Sequence, residues 1–172
     1  MKFLTDRYIR SLFLIGLGIY FIVEHEIRER PQSTEDLIDL HGTITDYSFK
    51  DNTGWRGNGR QYYIYLDGYP TKFQVKADYL RFFNKQQFEY NFKRDSRVKL
   101  SIPRYQESLV GTDENVFLTS ISVNGFEFLS KDETISREIT MATSNSDYIL
   151  GGVSIAIGIL IFLFYDKIKK SY

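Results

Sequence analysis

The chain has 172 residues and no cysteine. That absence excludes a thiol nucleophile, a cysteine-ligated zinc and any disulfide, so stability must come from packing. Only two histidines, His25 and His41, are available as imidazole ligands or bases. There is no excess charge of either sign, with 22 basic and 22 acidic side chains, which excludes attachment to nucleic acid by bulk positive charge. No G-x-S-x-G, P-loop or dinucleotide fingerprint occurs. Collagenous and low-complexity compositions are absent too, and the length suits one domain rather than several.

What is present is unevenly placed. The mean hydropathy of −0.30 averages two dense apolar blocks near the ends with a polar, aromatic-rich middle. Tyr148–Tyr165, YILGGVSIAIGILIFLFY, is an 18-residue run without a charge. At about 1.5 Å per residue it makes about 27 Å of helix, close to the ~30 Å hydrocarbon core of a bilayer, with tyrosines at both edges. The first block, Ser11–Val23, has 13 uncharged residues. It is short enough to resemble a signal peptide, but it runs into Glu24-His25-Glu26 without a small-residue cleavage site, so it reads as an uncleaved anchor. Extended to Tyr8–Ile27, with Arg10 snorkelling, it can span.

Charge sets the orientation. Lys2, Arg7 and Arg10 face one acid, Asp6, at the start, and Lys167, Lys169 and Lys170 face Asp166 at the end. Residues 24–147 hold 16 basic and 20 acidic side chains, a balance of −4. Positive flanks stay cytoplasmic. The expectation is therefore an α+β membrane protein with both ends inside: 1–7 cytoplasmic, 8–27 spanning, 28–147 a β-rich extracytoplasmic domain, 148–165 spanning, and 166–172 cytoplasmic.

Within the middle, Arg28–Leu40 reads as a connector, broken from the first helix by Pro31. Thr43–Phe49, Gln61–Leu66, Tyr69–Val75, Arg97–Ile102, Val116–Val123 and Phe126–Leu129 read as strands, with Asp67-Gly68 and Asn124-Gly125 as hairpin turns. Asp78 is the expected N-cap of a helix over 79–91, and residues 104–115 a long loop. Ser130-Lys131-Asp132-Glu133 is a capping-box pattern that should open a helix carrying Ile135, Ile139 and Ala142 on one face. The sum is a small barrel or strongly bent sheet of five or six strands with one packed helix.

Candidate sites are few. His25-Glu26-Ile27-Arg28-Glu29 is half of a zincin motif, with Glu29 where the second histidine should stand, and a solvated turn next to the membrane explains it as well. Tyr62, Tyr63, Tyr65 and Tyr69 suggest a stacking surface, although alternating tyrosines also describe the two faces of one sheet. Gly54–Arg60, GWRGNGR, lacks the following helix that a phosphate loop needs. Trp55, Arg56 and Arg60 are instead an aromatic–cation patch of the kind found at binding hot spots, and they are the expected partner-binding residues. In the apolar blocks, Gly16, Gly18, Gly152, Ser154, Ala156 and Gly158 are the expected helix-packing positions, within one chain or between copies in a homo-oligomer.

Gly42-Thr43-Ile44, Tyr63-Ile64-Tyr65-Leu66-Asp67-Gly68, Asp95–Pro103 and Val123–Leu129 resemble segments of uncharacterised bacterial two-helix membrane proteins with a small β-rich extracytoplasmic domain. The resemblance covers about residues 24–165. It implies the architecture and a bacterial inner-membrane location, and carries no reaction. The functional expectation is a non-enzymatic accessory or scaffold protein, without cofactor, metal or nucleic acid. It would sit in membrane lipid and bind a protein partner, with an immunity protein against a toxin as one form. The alternative is a ligand sensor or a subunit of a transport complex.

Overall fold

A computed structural model of the chain describes residues 2–53, 59–92 and 96–170. They fall into two compact units, residues 1–29 with 142–172 and residues 30–141. The fold is α+β.

The first unit is an antiparallel pair of helices, α1 (Lys2–Ile27) and α4 (Ser146–Lys170). The stretches Arg7–Ile27 and Lys131–Tyr165 contain helices long and apolar enough to cross a membrane. Polar links join the pair near both ends of the contact. The Ser11 hydroxyl donates to the Gly158 carbonyl at 2.8 Å, and His25 Nδ1 lies 2.9 Å from Asp147 Oδ2. The Tyr148 hydroxyl donates to the Glu26 carboxylate.

The small residues divide sharply by helical phase. Gly18, Gly158 and Ser154 are buried in the contact, whereas Gly16, Gly152 and Ala156 face outward. Gly151, not singled out by the sequence, joins the buried set. The reason is geometric: at 3.6 residues per turn, positions two apart lie on opposite sides of a helix, so Gly16 and Gly18 cannot both face a neighbour. A Cβ on Gly18 would meet the Gly151 carbonyl oxygen at 2.5 Å, and one on Gly158 would meet the Ser11 carbonyl oxygen at 3.0 Å. A Cβ on Gly16 or Gly152 would meet nothing within 4 Å. Gly18→Ala or Gly158→Ala should therefore force the backbones apart and destabilise the pair by about 1–3 kcal/mol, the range for overpacking. Gly16→Ala and Gly152→Ala should be neutral or slightly stabilising, since alanine is the better helix former. Thermal unfolding of the helical signal in detergent, run on all four variants, checks this. Equal behaviour of the two groups would contradict the helix phase described.

The second unit holds a seven-stranded mixed sheet in the order β5-β3-β2-β1-β4-β6-β7. Its organiser is β1 (Leu37–Thr53), which starts six residues before the expected Thr43 because Leu37–Thr43 pairs with β4 (Arg97–Pro103). From Ile44 onward the same strand pairs with β2 (Gly59–Leu66), past a register shift between Ile44 and Asp46. One strand thus serves both halves of the sheet. β2 pairs with β3 (Lys72–Val75), which begins after the predicted Tyr69.

The expected strand Val116–Val123 is two strands. β5 (Asn115–Leu118) runs parallel to β3, and β6 (Ser120–Val123) runs antiparallel to β4. Thr119 is the break, with its N–H donating to the Ser101 carbonyl at 2.8 Å. Strands at different ends of the hydrogen-bond order are thus consecutive along the chain, so the sheet is bent. β6 continues through Asn124 and Gly125, with φ of 53° and 81°, into β7 (Phe126–Leu129). Positive φ at both central residues is the hairpin geometry that Asn-Gly favours.

The expected helix over 79–91 is interrupted. Ala77–Phe82 is a 3₁₀ segment, and only Lys85–Asn91 (α2) is α-helical, capped by Asn84 rather than Asp78. The interruption is tertiary: Phe83 bridges to Leu129, and the Asn84 N–H donates to the Phe128 carbonyl at 2.8 Å. Part of the predicted 104–115 loop is likewise 3₁₀, over Arg104–Leu109. With α3 (Lys131–Ala142), more than one helix belongs to this unit. On α3 the buried residues are Thr134, Ile135 and Glu138, while Ile139 is 41% exposed, so the expected Ile135–Ile139–Ala142 face is not the buried one.

The core lies inside the bend. Ile44, Ile64, Phe73, Leu100, Leu118 and Ile121 are fully buried. Each such side chain contributes about 1.5–3 kcal/mol of transfer free energy. Phe49, Phe83, Phe88 and Phe128 extend this core as edge-on and tilted ring pairs.

Candidate binding cleft

The end of β1, the start of β2 and the segment entering α2 converge on a cleft of about 650 Å³. Strand alternation delivers its residues. On β2, Arg60, Tyr62 and Ile64 share one face, with Tyr62 and Ile64 buried and Arg60 exposed at the strand's start, so one row supplies both a floor and a cation. The Tyr62 ring is 5% exposed, and its hydroxyl donates to Asp51 Oδ1 at 2.6 Å. Lys85, the first residue of α2, donates to Asp51 Oδ2 at 2.8 Å. Arg60 Nε stands 3.6 Å from Asp51 Oδ1. Asp51 thus meets three donors on its two oxygens.

The electrostatics follow from that geometry. The hydrogen bond from Lys85, then that from Tyr62, holds the Asp51 carboxyl below its ordinary range, so it stays ionised. The bond to Asp51 raises the Lys85 ammonium above its ordinary value. Burial, then the bond to Asp51, raises the Tyr62 phenol, which stays neutral and donating. Lys85 Nζ also lies 4.9 Å from the centre of the Tyr62 ring, a cation–π contact. Arg60 is 60% exposed and Asp51 43%, so their pairing orients the arginine without adding much stability.

Arg81 completes the basic lining. It sits in the 3₁₀ segment with its guanidinium carbon 4.4 Å from the Phe82 ring centre. Asn84, Gln86 and Glu133 also line the cleft. Of the three expected contact residues, Arg60 is thus in the cleft, while Trp55 and Arg56 lie outside the described residues. Arg81 and Lys85 were missed by sequence reasoning. Their signal is faint, because Arg81 joins Arg60 and Lys85 only through the turn at Phe83–Asn84.

Two further polar clusters are structural. Asp39 accepts from Ser101 Oγ at 2.6 Å and from Lys131 Nζ at 3.2 Å, and pairs with Lys99 at 2.8 Å. Burial alone would raise this carboxyl, but the bonds from Lys99, Ser101 and Lys131 outweigh it and hold it far below the ordinary range. Ser120 and Thr134 extend the network, with Thr134 Oγ1 donating to the Thr119 carbonyl at 2.6 Å. Elsewhere, Glu138 accepts from Lys76 at 2.6 Å and from Tyr79 at 2.5 Å. Burial, then the bond to Glu138, raises the Tyr79 phenol far above its ordinary value.

The remaining sequence candidates fall apart. His25 faces Asp147 while Glu26 takes the Tyr148 hydroxyl, so the half-zincin residues do not converge. Among the described residues no group of three or more His, Asp or Glu could hold a metal. Tyr62 is buried and Tyr63 and Tyr65 half-buried, as alternation across a sheet requires. His41 lies opposite Lys99 in the β1–β4 ladder, bordering a shallow groove with Arg97. No protein-family model, no curated protein and no solved structure matches this chain, so its chemistry is read from its own residues.

Proposed function

We propose that the protein is a non-enzymatic, membrane-anchored binding protein. Its two apolar helices span a bacterial inner membrane with both ends in the cytoplasm, and its β-rich domain captures a protein partner outside. The observation that carries this reading is the cleft at Asp51, Arg60, Tyr62 and Lys85. It is concave and cation-rich, and its side chains are held by one another rather than arranged as a nucleophile with a base. Arginine and aromatic groups on a rigid sheet lose little entropy on binding, which is why they recur in hot spots. The helix pair supports the anchoring, since each helix is long enough to cross. Basic residues cluster just beyond the outer ends of both apolar blocks, which supports the orientation.

The cysteine-free chain makes one experiment sufficient. A single cysteine in place of Gln86, at the cleft rim, is treated in spheroplasts of the source cells with a membrane-impermeant maleimide carrying a photo-cross-linker. The expected result is labelling without lysis and, on illumination, one discrete protein adduct. A cysteine in place of Glu107, in the 104–109 segment, should label equally and give no such adduct. Labelling of position 86 only after lysis would overturn the orientation. Labelling without any protein adduct would overturn the partner reading.

A further inference from the structure

We infer that the cleft recognises a carboxylate-rich segment of the partner, an inference that rests on the partner-binding reading. Three cations line the cleft, Arg60, Arg81 and Lys85, against two carboxylates, Asp51 and Glu133. The carboxylates do not neutralise the cations evenly. Lys85 is tied to Asp51 at 2.8 Å and to the Tyr62 ring, and works as a fixed post. Among the described residues Arg60 pairs with Asp51 alone, at 3.6 Å between Nε and Oδ1, too long for a hydrogen bond. Among the described residues Arg81 is paired with no carboxylate, and its guanidinium carbon lies 4.4 Å from the Phe82 ring centre. A guanidinium held over an aromatic ring has less freedom to lose on binding, and its donor fork fits a carboxylate with two parallel bonds.

The surroundings sharpen the choice of ligand. Residues 30–141, the unit around the cleft, carry 15 basic and 16 acidic side chains, so the excess of cations at the cleft is local to it. A peptide can place acidic side chains in the cleft and uncharged ones on its rim. Asn84 and Gln86 supply amide donors and acceptors at the rim for such a peptide's backbone. Glu133, also lining the cleft, penalises an over-long acidic run, which favours a short segment.

The test uses the full-length chain in detergent and a fluorescent hexaglutamate peptide, with hexaserine and hexalysine as controls, read by anisotropy. Hexaglutamate should bind at least about tenfold more tightly than hexaserine, and its affinity should fall with added salt. Arg81→Glu should weaken hexaglutamate by about tenfold, the loss of one charge-assisted pair. Arg81→Gln should weaken it less. Neither variant breaks an ion pair among the described residues, and a circular dichroism spectrum matching the parent chain verifies the fold. Lys72→Glu, an exposed cation on β3 outside the cleft, should leave binding unchanged. Equal binding of hexaglutamate and hexaserine, or an equal loss in Lys72→Glu, would overturn the inference. So would a cross-link from position 86 that survives Arg81→Glu undiminished, and that result would leave the partner reading intact. Conversely, hexaglutamate binding without any cellular adduct at position 86 would overturn only the partner reading.

Discussion

Phe88→Ala is expected to destabilise the β-rich unit by about 4 kcal/mol, within the range for emptying a buried aromatic site. The side chain is 1% exposed, and five rings surround it. Tyr47, Phe49, Phe83, Phe92 and Phe128 all have ring centres within 5.5–5.8 Å of it. Each such pair adds about 0.5–1.5 kcal/mol beyond area burial, though the gains do not sum independently. α2 has only 7 residues, too few to persist in water alone, so its place depends on this one buried ring. The consequence reaches the cleft, because Lys85 opens the same helix one turn earlier. Phe88→Leu, which keeps most of the volume, should cost about 1–2 kcal/mol. Tyr90→Ala, two residues on and 90% exposed, should stay within about 0.5 kcal/mol of the parent chain. Denaturant unfolding of the full chain in detergent, followed by near-ultraviolet circular dichroism, compares all three. Similar midpoints for Phe88→Ala and Tyr90→Ala would mean that α2 does not present Phe88 to the core.

Legibility in the sequence followed periodicity. The uncharged run Tyr148–Tyr165, the Asp67-Gly68 and Asn124-Gly125 turns and the alternation in Arg97–Ile102 each carry their structure in a few neighbouring residues. Periodicity misleads where a phase changes. In Val116–Val123 the buried apolar residues are 116 and 118, then 121 and 123, so the inward parity switches across the buried polar pair Thr119–Ser120. A one-residue slip moves side chains to the other face of a sheet, and here it marks the point where the chain changes partner strand. That parity switch is visible in the sequence itself. Phase rather than proximity also divides the small residues of the spans, so Gly18 is buried while Gly16 is exposed. The break at Phe83–Asn84 has no local signal, since Leu80, Phe83 and Gln87 continue a helical spacing. Pairing with β7, more than 40 residues later in the chain, overrides it. The cleft was half legible for the same reason. Arg60 stands in a conspicuous glycine-rich stretch, whereas Arg81 and Lys85 reach it through that nonlocal break.

Glu138 is the residue whose burial the sequence least suggests, and its removal gives the second large expected effect. Its side chain is 1% exposed, and its one carboxylate oxygen Oε1 takes both the Lys76 ammonium and the Tyr79 hydroxyl. Breaking a buried pair from one side costs about 3–5 kcal/mol, because the partner keeps its desolvation penalty. Lys76 is 27% exposed and can turn toward water, so Glu138→Ala should fall at the low end, about 3 kcal/mol. Tyr79, 2% exposed, has no such escape, and its stranded hydroxyl carries much of that cost. Glu138→Gln keeps an acceptor for Tyr79 while losing the charge, and should cost about 1–2 kcal/mol. Replacing the pair together, Lys76→Met with Glu138→Leu, removes both charges and should recover only part of the loss, because the Tyr79 hydroxyl still lacks its acceptor. The decisive measurement is the double-mutant cycle over Lys76→Met and Glu138→Leu, read from denaturant midpoints of the full chain. A coupling of about 1 kcal/mol or more is expected. Strictly additive single effects would mean that Lys76 and Glu138 do not act as a pair. The cycle also bears on α3, which carries Glu138 against the Ala77–Phe82 segment and is followed in the chain, after only Thr143–Asn145, by α4. If the pair couples as expected, α3 is held to the β-rich unit by a charge that stays put only while both partners are present. Tyr79→Phe, which keeps both charges and loses one hydrogen bond, should then cost only about 1 kcal/mol.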